Sequence, residues 1–279
     1  MRRVLCPITV GRDDELQTLA EAVDGAAGGA GSVHVLVGEA GVGKSRLATA
    51  SAEAARSRGM RVLVGRAVPS TVPVAYRPLA EAFLSALRGP DGTAVLDDPG
   101  LTAFRSSLGW LVPEWHRPGH PATASPLLAS EATLRLLAAF ARDRGCVLVL
   151  EDLHWADADT LAHLEYLADN LAAERALVVA TIRAERASPA LTLAHTLRAR
   201  GTATVAQLAA LPREQVLRMA RSCLGSGEPP AAVVRLLDAH ADGLPFLVEE
   251  LLASLVGTGA LVATRTAGRR GPLLRRSCR

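Results

Sequence analysis

The feature that most constrains this chain is an eight-residue loop, Gly38–Ser45, which matches the pattern G-x-x-x-x-G-K-[ST] in full. The loop follows a short apolar run, 33–37, and precedes a helical pattern that begins at Lys44. Glycines let such a loop turn its backbone N–H groups inward, and the following helix presents its positive N-terminal end to the same point. A strand, this loop and a helix in that order predict a phosphate-binding loop.

Two side chains of the loop have chemical roles that the pattern predicts. Lys44 is expected to reach the β- and γ-phosphates of a nucleotide, and Ser45 to offer its hydroxyl to Mg²⁺. Lys44 is the only lysine among the 31 lysine and arginine residues, and a compact ammonium fits inside such a loop where a planar guanidinium does not. The predicted phosphate-binding residues are Gly38, Glu39, Ala40, Gly41, Val42, Gly43, Lys44, Ser45 and Arg46.

Apolar runs of strand length alternate with helical patterns over the first three quarters of the chain. The predicted strands are 33–37, 61–66, 146–150, 176–182 and, more weakly, 202–208. The predicted helices are 13–23, 44–58, 79–87, 101–111, 127–144 and 157–171, with the glycine-rich segment 25–31 expected to end the first of them. This alternation is typical of a parallel sheet between two layers of helices, so the fold class is α/β, a three-layer sandwich.

The character of the sequence changes after Leu211-Pro212, because only helices are predicted from there on. They span 213–224, 231–241 and 245–256. We therefore expect three parts: an α/β domain at 1–210, a small helical subdomain at 211–262, and an arginine-rich tail at 263–279 without periodicity.

The charge of the chain is unevenly distributed. The net charge of +3 depends on six arginines within 264–279, a stretch with no carboxylate; removing those six from 31 basic residues leaves 25 against 28 acidic ones. Residues 1–263 are thus acidic overall, and no nucleic-acid-binding face is expected on them. The tail is expected to be solvated and disordered, with a nucleic-acid-binding arm as the alternative.

Targeting and redox signals are weak. The first residues carry positive charge but lack the apolar stretch of a signal peptide, and no run approaches the roughly 18 apolar residues that a membrane span needs. Four cysteines lie far apart and form no C-x-x-C pair. We expect a cytoplasmic protein without a membrane partner.

A pair of carboxylates supplies the second chemical signal. Glu151 and Asp152 directly follow the apolar run 147–150, at the carboxyl end of a predicted strand, where ligands of open α/β sheets gather. One would hold Mg²⁺, directly or through water, and the other would orient or deprotonate a water that attacks the γ-phosphate. Position favours Glu151 for the metal and Asp152 for the water, and the reverse assignment stays open. An acidic pair can also form a helix-capping turn, but the upstream loop favours the site.

The next predicted strand ends in a further polar group. Arg183 follows Thr181-Ile182. If this strand lies between the two motif strands, its end faces the γ-phosphate, and Arg183 could report whether that phosphate is present. The alternative is an ordinary surface arginine.

Five segments together resemble the STAND branch of the AAA-like P-loop ATPases, specifically the ATPase module of large LuxR-type bacterial transcription regulators. They are the opening Ile8–Leu16 (hydrophobic-Gly-Arg-x-x-E-L), the phosphate loop, the string Leu150–Asp157, the sensor-like Thr181–Arg183, and Gly243–Leu251 with its G-x-P motif. The resemblance covers about 8–261.

The resemblance implies further site residues. It places Gly11 and Arg12 beside the adenine and brings Pro245 of a helical lid to the same base. One departure concerns the sensor, where relatives often show G-T-x-R-P and this chain has alanine at 184. A second is that the family continues into helical repeats and a helix-turn-helix, effector domains that we do not expect within these 279 residues.

The function implied by the resemblance is an ATP/ADP-binding switch with slow or conditional hydrolysis and Mg²⁺ as cofactor. The ATP state would be open and could self-associate. The preference for adenine rests on the resemblance alone. Two alternatives stay open: an AAA-type ATPase acting on nucleic acid, and a truncated, non-enzymatic remnant.

Overall fold

The computed structural model describes residues 6–71, 74–89, 92–112, 115, 125–185, 187–225 and 227–258. The predicted tail, 263–279, lies outside them. Contacts divide the chain into two compact units. Within the described residues, one consists of 13–209, and the other joins 6–12 to the residues from 210 to 258.

A five-stranded sheet forms the centre of the larger unit, and every pair of neighbouring strands is parallel. The strands are β1 (Ser32–Gly38), β2 (Arg61–Arg66), β3 (Cys146–Glu151), β4 (Ala176–Arg183) and β5 (Thr204–Leu208). Their order across the sheet is β2-β3-β4-β1-β5. Residues of β1, β3 and β4 are almost all buried, as expected for strands covered on both faces.

Seven helices of this unit are α1 (Asp13–Gly28), α2 (Lys44–Ser57), α3 (Arg77–Leu87), α4 (Gly92–Leu96), α5 (Pro126–Ala141), α6 (Ala158–Asn170) and α7 (Pro189–Arg200). The first two pack on each other and on the sheet. Apolar residues of α3, α5, α6 and α7 join one core with alternate residues of the strands, such as Val35 and Val37 of β1. Because alternate residues of a strand point to opposite faces, the sheet is covered on both sides.

The smaller unit is helical, with α8 (Arg213–Leu224), α9 (Ala231–His240) and α10 (Pro245–Gly257). It has its own apolar core, which includes Val216, Leu237 and Val248 of the three helices and also Cys6 and Val10 of the N-terminal segment. The backbone N–H of Cys6 donates to Glu249 Oε1 at 3.0 Å. The predicted fold class is thus confirmed: a parallel α/β sandwich accompanied by a helical part.

Three local predictions differ from the structure. Helix α1 continues to Gly28 through the glycine-containing segment expected to end it, because Ala26 is fully buried and tertiary packing outweighs glycine propensity. The predicted helix 101–111 is replaced by short 3₁₀ segments, Pro99–Phe104 and Ser106–Leu108.

The third difference is α7, which the sequence analysis does not include. Its signals are nevertheless local: Ser188 caps it by accepting from the backbone N–H of Leu191 at 3.2 Å, and Pro189 occupies the first helical position. Gly201 ends the helix in the left-handed conformation, with φ of 73°. These are the residue types that favour helix ends.

No helix among the described residues has both the length and the apolar composition needed to cross a membrane.

The close approach of α3 to the edge strand β2 gives a test of the packing. A Cβ atom added at Gly65 would lie 1.8 Å from the carbonyl oxygen of Pro78, a backbone atom of α3. We expect Gly65→Ala to lower the free energy of unfolding by about 2–3 kcal/mol, because the backbone must move. Urea unfolding followed by circular dichroism measures the change.

The matched control is Gly28→Ala at the end of α1, where an added Cβ meets nothing within 4 Å. It should leave stability unchanged or slightly raised. An unfolding midpoint of G65A equal to that of G28A would contradict the packing described.

Candidate functional site

The phosphate loop joins β1 to α2 and is shaped by two of its glycines. Gly43 has φ of 108°, a left-handed conformation that L side chains rarely adopt. A Cβ at Gly38 would lie 2.8 Å from Leu208 O and 2.9 Å from Val42 Cγ1, so the loop starts where the backbone of β5 runs close by. Helix α2 then begins at Lys44 with no acidic residue in its first turn. The N-terminal end of α2 is therefore free to favour an anion.

Lys44 is tied down within the loop. It is 7% exposed, and its Nζ donates to the carbonyl oxygens of Gly38 and Glu39, each at 2.7 Å. These bonds use two of the three donors of an ammonium. Burial lowers the pKa of Lys44, and the negative charge of Glu185 is the strongest of those acting in the opposite direction. The loop thus holds a desolvated cation in a fixed position, with a donor left for an anion.

The carboxylates of Glu151 and Asp152 lie at the end of β3 and share an arginine that the sequence analysis missed. Arg66 Nε lies 3.1 Å from Asp152 Oδ2, and Arg66 Nη2 lies 3.6 Å from Glu151 Oε2. Arg66 ends β2 and faces Glu151 in the parallel register. The only feature of the sequence that could have indicated Arg66 is that it is a polar residue at the end of a predicted strand.

Asp152 is held in an unusual backbone conformation. Its φ is 57°, and its backbone N–H donates to Thr181 Oγ1 at 2.9 Å. Thr181 is fully buried in β4, so the bond fixes the backbone of Asp152 to the neighbouring strand. Non-glycine residues in the left-handed region are often found at functional sites.

Arg183 ends β4, the strand that pairs with β1 on one side and β3 on the other. β4 therefore lies between the strand before the phosphate loop and the strand before the two carboxylates, as the prediction of a sensor role for Arg183 requires. Arg183 is in register with Gly38, and the next residue donates its backbone N–H to Gly38 O at 3.2 Å. The positive charge of Arg183 also acts on Lys44. Its contact with a γ-phosphate stays a prediction.

Ser45 and Arg46 lie in the first turn of α2, with Ser45 exposed. A serine hydroxyl and two carboxylates are oxygen donors of the kind that Mg²⁺ prefers. The donor set present at this edge of the sheet fits that ion.

His154 is a second residue that the sequence analysis missed. It lies in the 3₁₀ turn Leu153–Trp155 that follows the carboxylates, and neither of its ring nitrogens has a hydrogen-bond partner although both are buried. Burial lowers the pKa of His154, and the charge of Asp152 opposes this. Buried polar atoms without hydrogen-bond partners are rare in folded proteins, so these two nitrogens set His154 apart from its neighbours in the turn.

The three residues that the resemblance places at the adenine belong to the smaller unit. Gly11 has φ of 64°, and an added Cβ would lie 3.0 Å from Leu211 Cδ2. Arg12 is 8% exposed. Pro245 opens α10, preceded by Gly243, whose carbonyl accepts from the backbone N–H of Leu211 at 2.8 Å. Their contact with a base stays a prediction.

Comparisons with known proteins show which sequences and folds this chain is similar to. Residues 9–179 match the family model described as an AAA ATPase domain. An uncharacterized protein of Rhizobium meliloti (strain 1021) is 29% identical over 203 residues, which are 68% of this chain and 20% of that protein. The chain thus spans about a fifth of the length of this relative.

Two solved structures share the fold. The Aeropyrum pernix ORC1 protein in complex with DNA superposes with a TM-score of 0.52 at 17% identity, covering 92% of this chain and 62% of that one. AMPPCP-bound DnaA from Aquifex aeolicus gives a TM-score of 0.51 at 11% identity, covering 90% of this chain and 63% of that one.

The bond between Thr181 and Asp152 can be tested directly. We expect Thr181→Val to lower the free energy of unfolding by about 1–3 kcal/mol, because it leaves the Asp152 N–H without its acceptor. Thr181→Ser keeps the hydroxyl and should retain most of that stability. Denaturant unfolding of both variants compares them. A smaller loss in T181V than in T181S would contradict the role given to this hydroxyl.

Proposed function

The chain belongs to the AAA ATPase domain family, and we propose that it is an ATP/ADP-binding switch module with slow or conditional hydrolysis. The observation that carries the proposal is Lys44, the only lysine of the chain, buried and bonded to two carbonyls of a complete phosphate loop. A buried ammonium beside a helix N-terminus is built to bind an anion.

Each residue at this edge of the sheet has a role in the proposal. Lys44 and the loop N–H groups bind the phosphates, and Ser45 with Glu151 would hold Mg²⁺, which when bound neutralises charge on the phosphates. Asp152 orients or deprotonates the attacking water, with the exchange of roles between the two carboxylates as the open alternative. Arg183 contacts the γ-phosphate.

The carboxylate contacts support slow or conditional turnover. Arg66 lies between Glu151 and Asp152 and engages both. A carboxylate oxygen that already accepts from a guanidinium has less capacity left to accept a hydrogen bond from an attacking water. Since the Arg66 side chain is about half exposed, the pair is weak and can be rearranged. In this proposal, hydrolysis takes place only after Arg66 has moved away from the two carboxylates.

Three further proposals concern the helical unit, self-association and the larger protein to which the module belongs. We infer that the helical unit acts as a lid through Pro245, with Gly11 and Arg12 at the adenine, and that the ATP state self-associates. We also infer that the module serves a larger regulator of the LuxR type. The Rhizobium relative, of which this chain covers 20%, supports a place within longer proteins.

The first test is nucleotide binding. With Mg²⁺ and ADP or ATP at a hundred times the dissociation constant, we expect the unaltered chain to gain about 2.7 kcal/mol and several degrees in melting temperature. Lys44→Ala should abolish the gain, because the loop loses its buried cation. The control Arg56→Ala removes a positive charge from an exposed position of the same helix. Equal ADP stabilisation of K44A and R56A would refute the phosphate-loop assignment.

Hydrolysis is tested separately from binding. Asp152→Asn should still be stabilised by ATP but release phosphate about 10²-fold more slowly or worse, because the water loses its base. Phosphate release under single-turnover conditions measures this. Glu151→Gln should instead weaken the dependence of binding on Mg²⁺. The opposite pattern in the two variants would exchange the roles of the carboxylates.

A further inference from the structure

The carboxylate of Glu185 contacts the phosphate loop itself. Glu185 lies two residues beyond Arg183, just past the end of β4. The backbone N–H of Ala40, within the loop, donates to Glu185 Oε1. In phosphate loops the inward N–H groups are donors for phosphate oxygens. A carboxylate of the chain therefore occupies a backbone N–H of the loop that is predicted to bind phosphate.

The charges around this contact favour the ionised form of Glu185. Of the charged groups that act on the buried Lys44 ammonium, Glu185 is the strongest. Burial raises the pKa of Glu185, but the Ala40 N–H, its own backbone N–H, Lys44 and Arg183 together lower it. The side chain is thus held as an anion among the groups expected to bind phosphate.

The contact is also easily broken. Glu185 and Ala40 are both exposed, so the side chain can turn into solvent when a stronger anion arrives. An exposed hydrogen bond to a carboxylate contributes little net stability, since water replaces it.

We propose that Glu185 determines nucleotide affinity and selectivity by competing with phosphate for the loop N–H of Ala40. The inference rests on the proposed function. A nucleotide that binds must displace the Glu185 carboxylate from Ala40. Its phosphates then lie near the negative charge of Glu185. Because the repulsion grows with the charge of the ligand, it weakens ATP binding more than ADP binding. Glu185 thus biases the module toward ADP.

The test compares Glu185→Gln with the unaltered chain by titration calorimetry, using Mg²⁺ with ATP or with ADP. The amide is isosteric but neutral. We expect about a fivefold lower Kd for ATP, the factor that removing the repulsion of one solvent-exposed charge near the phosphates gives, and a smaller decrease for ADP. The matched control is Glu53→Gln, which makes the same charge change at an exposed position of α2 and should leave both Kd values unchanged.

A spectroscopic readout tests the contact without nucleotide. In the ¹H–¹⁵N spectrum, the amide proton of Ala40 should move upfield in E185Q, because it loses a charged acceptor. Glu185→Ala should reproduce both the shift and the tighter ATP binding. Weaker ATP binding in E185Q and E185A would overturn the inference, since the carboxylate would then assist the bound state.

The two proposals fail in different ways. If the unaltered chain binds nucleotide and E185Q binds ATP no more tightly, only the role of Glu185 is overturned. If neither the unaltered chain nor E185Q is stabilised by ADP or ATP, the proposed function is overturned together with the inference.

Discussion

The parallel pairing of β4 with β1 on one side and β3 on the other is the constraint on which the site depends. It places Arg183 in register with Gly38, at the start of the phosphate loop, and lets Thr181 accept a hydrogen bond from Asp152. Groups that are far apart in the chain thus meet at the carboxyl edge of one sheet, as open α/β folds require. Had β4 been an edge strand, it could have made only one of these two contacts.

Two sets of opposite charges then balance at this edge. Lys44 is offset by Glu185, which reaches the loop through Ala40, while Arg66 is shared between the two carboxylates that follow β3. In the proposed function a nucleotide with Mg²⁺ would bring its own anion and cation to the same two places. Binding would then replace ion pairs within the chain by contacts with the nucleotide and Mg²⁺. The net free energy of binding would be a difference between similar terms, so a change at a single residue would alter it.

Prediction from sequence succeeded where the signal is local. The bounds of β2 match the prediction residue for residue, and the loop between β1 and α2 is recognisable from the spacing of Gly38, Gly43 and Lys44. The residues that were missed depend on register or on distant contacts: Glu185 meets Ala40 across 145 residues, and Arg66 reaches the acidic pair only because β2 aligns with β3. No spacing rule within one segment carries that information. The missed helix α7 differs, because its capping residues were present locally but no apolar periodicity drew attention to them.

The division into two units bears on what a switch in this chain can do. The phosphate-side residues belong to the α/β unit, whereas Gly11, Arg12 and Pro245 belong to the helical unit, which has a separate apolar core. Under the proposed function, the effect of a nucleotide on the switch could not exceed the difference in its affinity for the two states. Because ATP and ADP differ only at the γ-phosphate, that difference must arise at the groups that meet it. Under the two proposals, Arg183 and the acidic pair with its Mg²⁺ would favour the ATP state, and Glu185 would oppose it. A switch poised between such opposing charges needs only a modest signal to change state.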